Sequence, residues 1–155
     1  MSVPLQNGVT YVITNVKSRT VLDLSAGDNR SVIGWPRHNG PNQRWTLVWA
    51  GNGWNIRSLS SGLFLNIDGS PENGTRLVAT SAPILWHIWA DQKDPTTHRI
   101  FIPNTYYNLD LYNYGDPTPG TPVTLWWTWE GLHQTWKFEQ MKSIPRIMLD
   151  LDDVL

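Results

Sequence analysis

The chain has 155 residues, a formal net charge of −1, only 16% charged residues and no cysteine. This length fits one domain, and the low charge provides no basic face for a nucleic-acid backbone. Disulfides, thiolate nucleophiles and thiolate metal ligands are excluded because cysteine is absent. Residues 1–8 lack both the cationic start and the apolar run of a secretory signal. No apolar stretch approaches the roughly 18 residues of a membrane span. We therefore expect a cytoplasmic protein, with non-classical release as its route out of the cell.

Short strands are the predicted elements throughout. The chain contains 10 Trp, 12 Gly and 11 Pro. Glycine and proline at this density interrupt the chain too often for long helices, and short apolar runs between them are typical of strands. The predicted fold class is all-β.

Three segments of the chain align in order. They are Tyr11–Trp45, Trp54–Trp89 and His98–Trp136, and each has one polar residue between apolar ones twelve positions after its start: Asp23, Asn66 and Asp110. A turn of variable length follows. An aromatic residue then stands ten positions before the closing Trp in the first and third segments, Trp35 and Trp126.

Three units of about 40 residues are too few for a propeller and predict a barrel closed with threefold pseudosymmetry. The alternative is an irregular β-sandwich in which the repeat is a coincidence. The expected domain covers residues 1–140, with lobes at about 8–50, 51–95 and 96–140. Residues 141–155 form a C-terminal tail.

The ends of the first and third lobes resemble a known family. Gln43-Arg44-Trp45 and Gln134-Thr135-Trp136 resemble the Q-x-W motif of ricin-B-like (R-type) β-trefoil lectins, whereas the second lobe departs with His87-Ile88-Trp89. The cysteine-free chain resembles the small cytoplasmic lectins of mushrooms. The resemblance implies a twelve-stranded β-trefoil with up to one galactose-type site per lobe, no enzymatic activity, no cofactor, and a role in fungal defence.

The first lobe has the residues expected of a sugar site: a carboxylate that accepts from two hydroxyls and an aromatic plate for the apolar sugar face. The predicted binding residues are Asp23, Trp35, His38, Asn39, Asn42 and Gln43. The resemblance gives Asn42 its role and suggests galactose or N-acetylgalactosamine as the ligand. Four alternatives stay open. Asp23 is a strand residue pointing to solvent, and Trp35 is a surface-turn aromatic without a ligand. His38 is a solvated loop residue, and Gln43 is structural, bonding buried backbone or orienting Asp23.

The other two lobes depart from this pattern. The second has Asn66 for the carboxylate, Thr80 for the plate and Trp86-His87 in place of Asn42-Gln43, so we expect no binding there. The third is predicted to be a second, weaker site formed by Asp110, Trp126, His133 and Gln134, under a longer loop that can cover it. The neighbouring cluster of Trp126, Trp127 and Trp129 alternatively forms a protein contact.

Other functions find less support. The four histidines lack metal-ligand spacing, and no Gly-x-Ser-x-Gly motif or phosphate loop occurs. We therefore predict no catalytic, metal or cofactor site. The alternative function is a β-trefoil protease inhibitor acting through the exposed loop Tyr112–Pro122. The apolar tail Lys142–Leu155 packs either along its own barrel or across a partner, and on this basis we expect a homodimer. The expected binding partners of the lectin are glycans on glycoproteins or glycolipids.

Overall fold

Twelve short strands make up most of the structure, a computed structural model that describes residues 4–141. The strands are β1 (Thr10–Asn15), β2 (Val21–Leu24), β3 (Val32–Trp35), β4 (Trp45–Trp49), β5 (Trp54–Ser58), β6 (Phe64–Ile67), β7 (Leu77–Thr80), β8 (His87–Ala90), β9 (His98–Phe101), β10 (Tyr107–Leu111), β11 (Val123–Trp127) and β12 (Trp136–Gln140). Short 3₁₀ turns lie at Pro41–Gln43 and Leu132–Gln134, and one helical turn, α1, lies at Tyr112–Gly115.

Six of the strands pair around a ring. Strand β1 pairs with β12 and β4, β4 with β5, β8 with β9, and β9 with β12. A bridge between Trp54 and Trp86 links β5 to the start of β8 and completes the ring. Because each of the six has a neighbour on both sides, none of them presents a free edge.

The remaining strands form three hairpins, β2–β3, β6–β7 and β10–β11. The hairpins contact one another through bridges that join Ser31 to Val78, Ile33 to Pro122 and Arg76 to Thr124. A six-stranded ring with three hairpins is a β-trefoil, so the predicted fold class is confirmed. The alternative of an irregular sandwich is wrong.

One buried tryptophan per lobe anchors the core. The indole N–H groups of Trp45, Trp86 and Trp136 donate to the carbonyl oxygens of Leu22, Leu65 and Leu109, at 2.9, 3.0 and 3.2 Å. In each lobe the accepting leucine directly precedes the polar residue of the repeat. The register of Asp23, Asn66 and Asp110 is therefore confirmed.

The closing tryptophan of the second lobe was wrongly predicted. Trp86 is fully buried, whereas Trp89 is 59% exposed at the surface end of β8. Trp86 stands only six positions after Thr80, whereas Trp45 stands ten positions after Trp35. The second lobe is thus four residues shorter between the plate position and the core tryptophan. Within residues 4–141 it has no counterpart of the 3₁₀ turns at Pro41–Gln43 and Leu132–Gln134.

The insertion in the third lobe begins with a left-handed turn. Asn113, Tyr114 and Gly115 have φ of 54°, 56° and 79°, and the turn is closed by the N–H of Asp116, which donates to Tyr112 O. A Cβ on Gly115 would lie 2.7 Å from the Cβ of His133. Only glycine fits both this conformation and this contact, so the turn packs directly on the third lobe's 3₁₀ segment.

The tail Lys142–Leu155, on which the homodimer prediction rests, lies outside the described residues.

Within residues 4–141, no helix has the length and hydropathy needed to cross a bilayer. The same residues contain no cluster of three or more His, Asp or Glu side chains placed to hold a metal ion.

Candidate functional site

The carboxylate of Asp23 forms the floor of the candidate site in the first lobe. All four residues of β2 are buried, and Asp23 itself is only 3% exposed. The alternative that Asp23 points freely to solvent is therefore wrong. A buried carboxylate must be hydrogen-bonded to be tolerated, and the neighbouring 3₁₀ turn supplies the donors.

Gln43 is the structural partner of this carboxylate. Its side-chain amide donates to Asp23 Oδ2 at 2.8 Å and to Pro36 O at 3.0 Å, while its Oε1 accepts from the backbone N–H of His38 at 2.9 Å. Gln43 is fully buried. It therefore orients Asp23 and fixes the loop that carries His38, and it does not line the cavity.

Asn42 holds the other carboxylate oxygen. Its Nδ2 donates to Asp23 Oδ1 at 3.3 Å and to Leu24 O at 3.1 Å. The 3₁₀ turn at Pro41–Gln43 places Asn42 and Gln43 on the two oxygens of one carboxyl group. Proline at the first position suits this turn because its fixed φ is helical and its missing N–H has no partner to lose.

The cavity above Asp23 measures about 390 Å³. Its lining consists of Asp23, Ser25, Ala26, Gly27, Ile33, Trp35, His38 and Asn42. The indole of Trp35 is 39% exposed, and His38 Nε2 stands 4.0 Å from Asp23 Oδ2. One apolar plate and several polar groups therefore face the same space.

Asn39, one of the predicted binding residues, lies outside the lining of this cavity. It has a positive φ of 64°, and its Oδ1 accepts a hydrogen bond from Arg37 Nε at 2.7 Å. The left-handed backbone turns the side chain toward Arg37.

Ser25, Ala26 and Gly27 line the cavity but were not predicted from the sequence. They belong to the β2–β3 turn, whose composition indicates a turn and gives no sign of a binding role.

Burial sets the electrostatics of the site. It raises the pKa of Asp23 above the ordinary value of 3.8, because desolvation disfavours the charged carboxylate. Hydrogen bonds from Gln43 and Asn42 and the charge of His38 oppose that rise without cancelling it. The carboxylate is thus more basic than an exposed aspartate.

The second lobe lacks the features of such a site. Asn66 uses its side-chain amide within the lobe, donating to Thr80 Oγ1 at 2.9 Å and to Ala82 O at 3.2 Å. Its Oδ1 accepts from the N–H of Ile67 at 2.7 Å. This lobe has no glutamine-bearing turn within residues 4–141 and a small residue at the plate position, and its lack of sugar binding stays a prediction.

The third lobe repeats the carboxylate arrangement with one substitution. Gln134 Nε2 donates to Asp110 Oδ2 at 2.8 Å and to Trp127 O at 3.0 Å, as Gln43 does in the first lobe. His133 takes the position of Asn42, and its Nε2 stands 3.1 Å from Asp110 Oδ2. Both His133 and Asp110 are almost fully buried.

Aromatic side chains enclose the third-lobe cavity, which measures about 540 Å³. Its lining is Asp110, Tyr112, Asn113, Tyr114, Trp126, Trp129 and His133. The insertion therefore forms a wall of the cavity. Trp127, by contrast, is 52% exposed and stacks on Tyr106 at 5.7 Å between ring centroids. The tryptophan cluster is thus divided between this cavity and the outer surface.

Comparison with known proteins identifies relatives that share this fold and sequence. A family model described as a ricin-type β-trefoil lectin domain matches residues 2–80 and 41–126. The ricin B-like lectin of Macrolepiota procera, described in complex with lactose, is 57% identical, with a TM-score of 0.89 over 90% of this chain and 100% of that one. The Rhizoctonia solani agglutinin is 28% identical, with a TM-score of 0.81 over 91% and 100% of the two chains.

A designed protein of threefold symmetry, ThreeFoil, is similar in fold alone. It is 22% identical, with a TM-score of 0.78 over 85% of this chain and 99% of that one. Among curated protein sequences, none matches this chain.

Proposed function

Because this chain belongs to the family of ricin-type β-trefoil lectin domains, we propose that it binds glycans ending in galactose or N-acetylgalactosamine, principally through the first lobe. It is a carbohydrate-binding lectin. The observation that carries it is the buried carboxylate of Asp23, fixed by two amides beneath the half-exposed indole of Trp35. The Macrolepiota procera relative, described in complex with lactose, supports it.

The proposed binding mode follows from the chemistry of the sugar. A galactoside presents neighbouring hydroxyls and, on one side, a face of C–H bonds. Asp23 accepts hydrogen bonds from two hydroxyls, which are stronger because the acceptor is charged. Trp35 packs against the C–H face. Asn42 and His38 reach the same hydroxyls from the side of the 3₁₀ turn.

We propose the third lobe as a second, weaker site for the same class of sugar. Asp110, Gln134 and Trp126 keep the positions of Asp23, Gln43 and Trp35. The difference is His133, which stands 3.1 Å from Asp110 Oδ2 and competes with a hydroxyl for that oxygen. The protease-inhibitor alternative through Tyr112–Pro122 stays a prediction: Tyr112 and Tyr114 line the third-lobe cavity and are exposed as well.

A glycan array tests the proposal. Wild type should bind galactose- and N-acetylgalactosamine-terminated glycans above all others. Trp35→Ala should weaken these signals about tenfold or more, because the sugar face loses its aromatic partner. Trp49→Ala is the matched control, since Trp49 is also half-exposed but lies outside the cavity. A blank array with folded wild type would contradict the proposal.

Binding should weaken in mild acid. The carboxylate accepts hydrogen bonds from two hydroxyls only when ionised, and burial raises the pKa of Asp23 above 3.8. Lactose affinity, measured by calorimetry from about pH 7 to about pH 4, should fall at a higher pH than an ordinary aspartate would give. An affinity that stays constant down to about pH 4 would contradict this.

Protonation of Asp23 does not itself unfold the protein. A carboxyl group with a raised pKa in the folded state contributes stability below its unfolded pKa, and this contribution is lost as pH rises through the folded value. Protonation of Asp23 therefore favours the folded state. Circular dichroism at each pH should show the fold intact while lactose binding declines.

We also propose that the lectin acts as a homodimer. Single shallow sugar sites with Kd of about 0.1 to 1 mM provide only about 4 to 5.5 kcal/mol, and two linked sites strengthen attachment to a multivalent surface without new contacts. Analytical ultracentrifugation at micromolar concentration should show a dimer. A single monomeric species would contradict the proposal.

A further inference from the structure

A groove of about 510 Å³ lies beside the third lobe, outside both sugar cavities. One side is the turn between β8 and β9, with Asp91, Lys93 and Asp94, and the other is the segment 128–132 before β12. Trp89, which is 59% exposed, also lines it. The groove therefore combines aromatic and charged side chains on an open surface.

Trp129 is shared by this groove and the third-lobe cavity. In the cavity its ring lies 5.1 Å from the ring of His133 and 6.2 Å from that of Tyr114, measured between centroids. The ring is 46% exposed. A ligand in the cavity can thus continue across the exposed edge of Trp129 into the groove without displacing a buried residue.

The floors of the two spaces are joined by hydrogen bonds. Arg99 Nε donates to Asp91 Oδ1 at 2.9 Å in the groove, and Arg99 Nη1 donates to Gln134 Oε1 at 2.9 Å. Gln134 Nε2 in turn donates to Asp110 Oδ2 in the cavity at 2.8 Å. The backbone N–H of Trp129 donates to the same Gln134 Oε1 at 3.0 Å. One buried network therefore positions groove, shared indole and carboxylate together.

The first lobe is built differently at this point. Within residues 4–141, Gln43 Oε1 accepts from the backbone N–H of His38 and from no arginine. His38 occupies the position of Trp129, because each donates its backbone N–H to the glutamine five residues later. The arginine link and the shared indole thus distinguish the third lobe from the first.

We propose that the groove binds the inner sugars of a neutral oligosaccharide whose terminal sugar occupies the third-lobe cavity. This inference rests on the proposed sugar binding of that lobe. Trp129 and Trp89 provide faces for sugar rings, and the charged groups on the rim offer donors and acceptors to hydroxyls. An acidic glycan is disfavoured because three carboxylates, Asp91, Asp94 and Glu130, line the groove against two cations, Lys93 and Arg99.

An ion pair crosses the groove without blocking it. Lys93 Nζ lies 3.1 Å from Glu130 Oε1, and the two side chains are 74% and 81% exposed. Exposed pairs of this kind contribute little to stability. A sugar ring can therefore separate them and hydrogen-bond to both groups.

Variants with one working lobe isolate the two sites. Asp23→Asn leaves the third lobe and Asp110→Asn leaves the first, because asparagine keeps the size of the side chain but loses the charge and one acceptor oxygen. Each variant is titrated with lactose and with lacto-N-neotetraose, a neutral linear tetrasaccharide ending in galactose. Asp23→Asn should bind the tetrasaccharide about fivefold more tightly than lactose, through the added aromatic contacts. Asp110→Asn should bind both equally.

Groove variants complete the test in the Asp23→Asn background. Trp89→Ala should remove the preference for the tetrasaccharide and leave lactose affinity unchanged, because Trp89 lines the groove alone. Trp49→Ala, the control, should retain the preference. Equal affinities for the two sugars in Asp23→Asn, or no binding of either, would overturn the inference. Lactose binding by Asp110→Asn reports on the first-lobe proposal independently of these outcomes.

Discussion

Replacing Asp23 with alanine should lower the affinity for lactose at least 100-fold, roughly, because two hydrogen bonds to a charged acceptor are lost at about 1.5 to 3 kcal/mol each. Isothermal titration calorimetry would then detect only the weaker third-lobe site. The fold should survive, since Gln43 Nε2 keeps its bond to Pro36 O and Asn42 Nδ2 keeps its bond to Leu24 O.

Asn66→Ala is the matched control for this experiment. Asn66 holds the same register in the second lobe, but its polar atoms are used within that lobe. Its removal should leave lactose affinity unchanged. If Asp23→Ala binds lactose as wild type does while Asp110→Ala does not, the principal site is in the third lobe.

Trp86→Ala should destabilise the protein by about 3 to 5 kcal/mol, the cost of emptying the space of a buried aromatic residue. Leu65 O would also lose the indole N–H that donates to it at 3.0 Å. Trp89→Ala, three residues along, should change the free energy of unfolding by no more than about 0.5 kcal/mol because Trp89 is a surface residue. Urea unfolding followed by circular dichroism measures both values.

These two variants distinguish the alternative registers of the second lobe. Equal decreases in the free energy of unfolding of the two variants would mean that Trp86 does not occupy the core position that its hydrogen bond indicates. Each variant removes one tryptophan from the same short segment. The two variants therefore have the same tryptophan content, and only the position of the lost side chain differs.

The repeat could be predicted because the strand register depends on local spacing. Asp23 faces Ile33 across the first hairpin, Asn66 faces Val78, and Asp110 faces Thr124, so the plate position lies two residues further along in each lobe. Spacing failed for the second closing tryptophan and, with it, for the alignment of Trp86-His87 with Asn42-Gln43, because Trp86 is the core residue. With Trp86 and Trp89 both available, counting residues cannot reveal which indole finds a carbonyl partner inside the barrel.

The burial of Asp23 could not be predicted from strand alternation. Alternation assumes one covered and one solvated face, but β2 is covered on both faces, so all four of its residues are buried. The lining of the third-lobe cavity could not be predicted either, because it depends on the turn at Tyr112–Gly115. Tyr112 and Tyr114 reach it through a left-handed turn, for which Asn113 and Gly115 were the sequence signals.

The pairing of β1 with β12 has a consequence for how the chain folds. Their register runs from Tyr11 opposite Gln140 to Asn15 opposite Trp136, and Asn15 Nδ2 donates to His133 O, 118 residues away in sequence. Contacts between such distant residues form late because loop closure must precede them. During synthesis β1 leaves the ribosome early, and β12 is the last of its neighbours to emerge, after β2 and β4. The lobe that carries Asp23 is therefore made first, but its first strand is fully paired only when the last strand of the chain arrives.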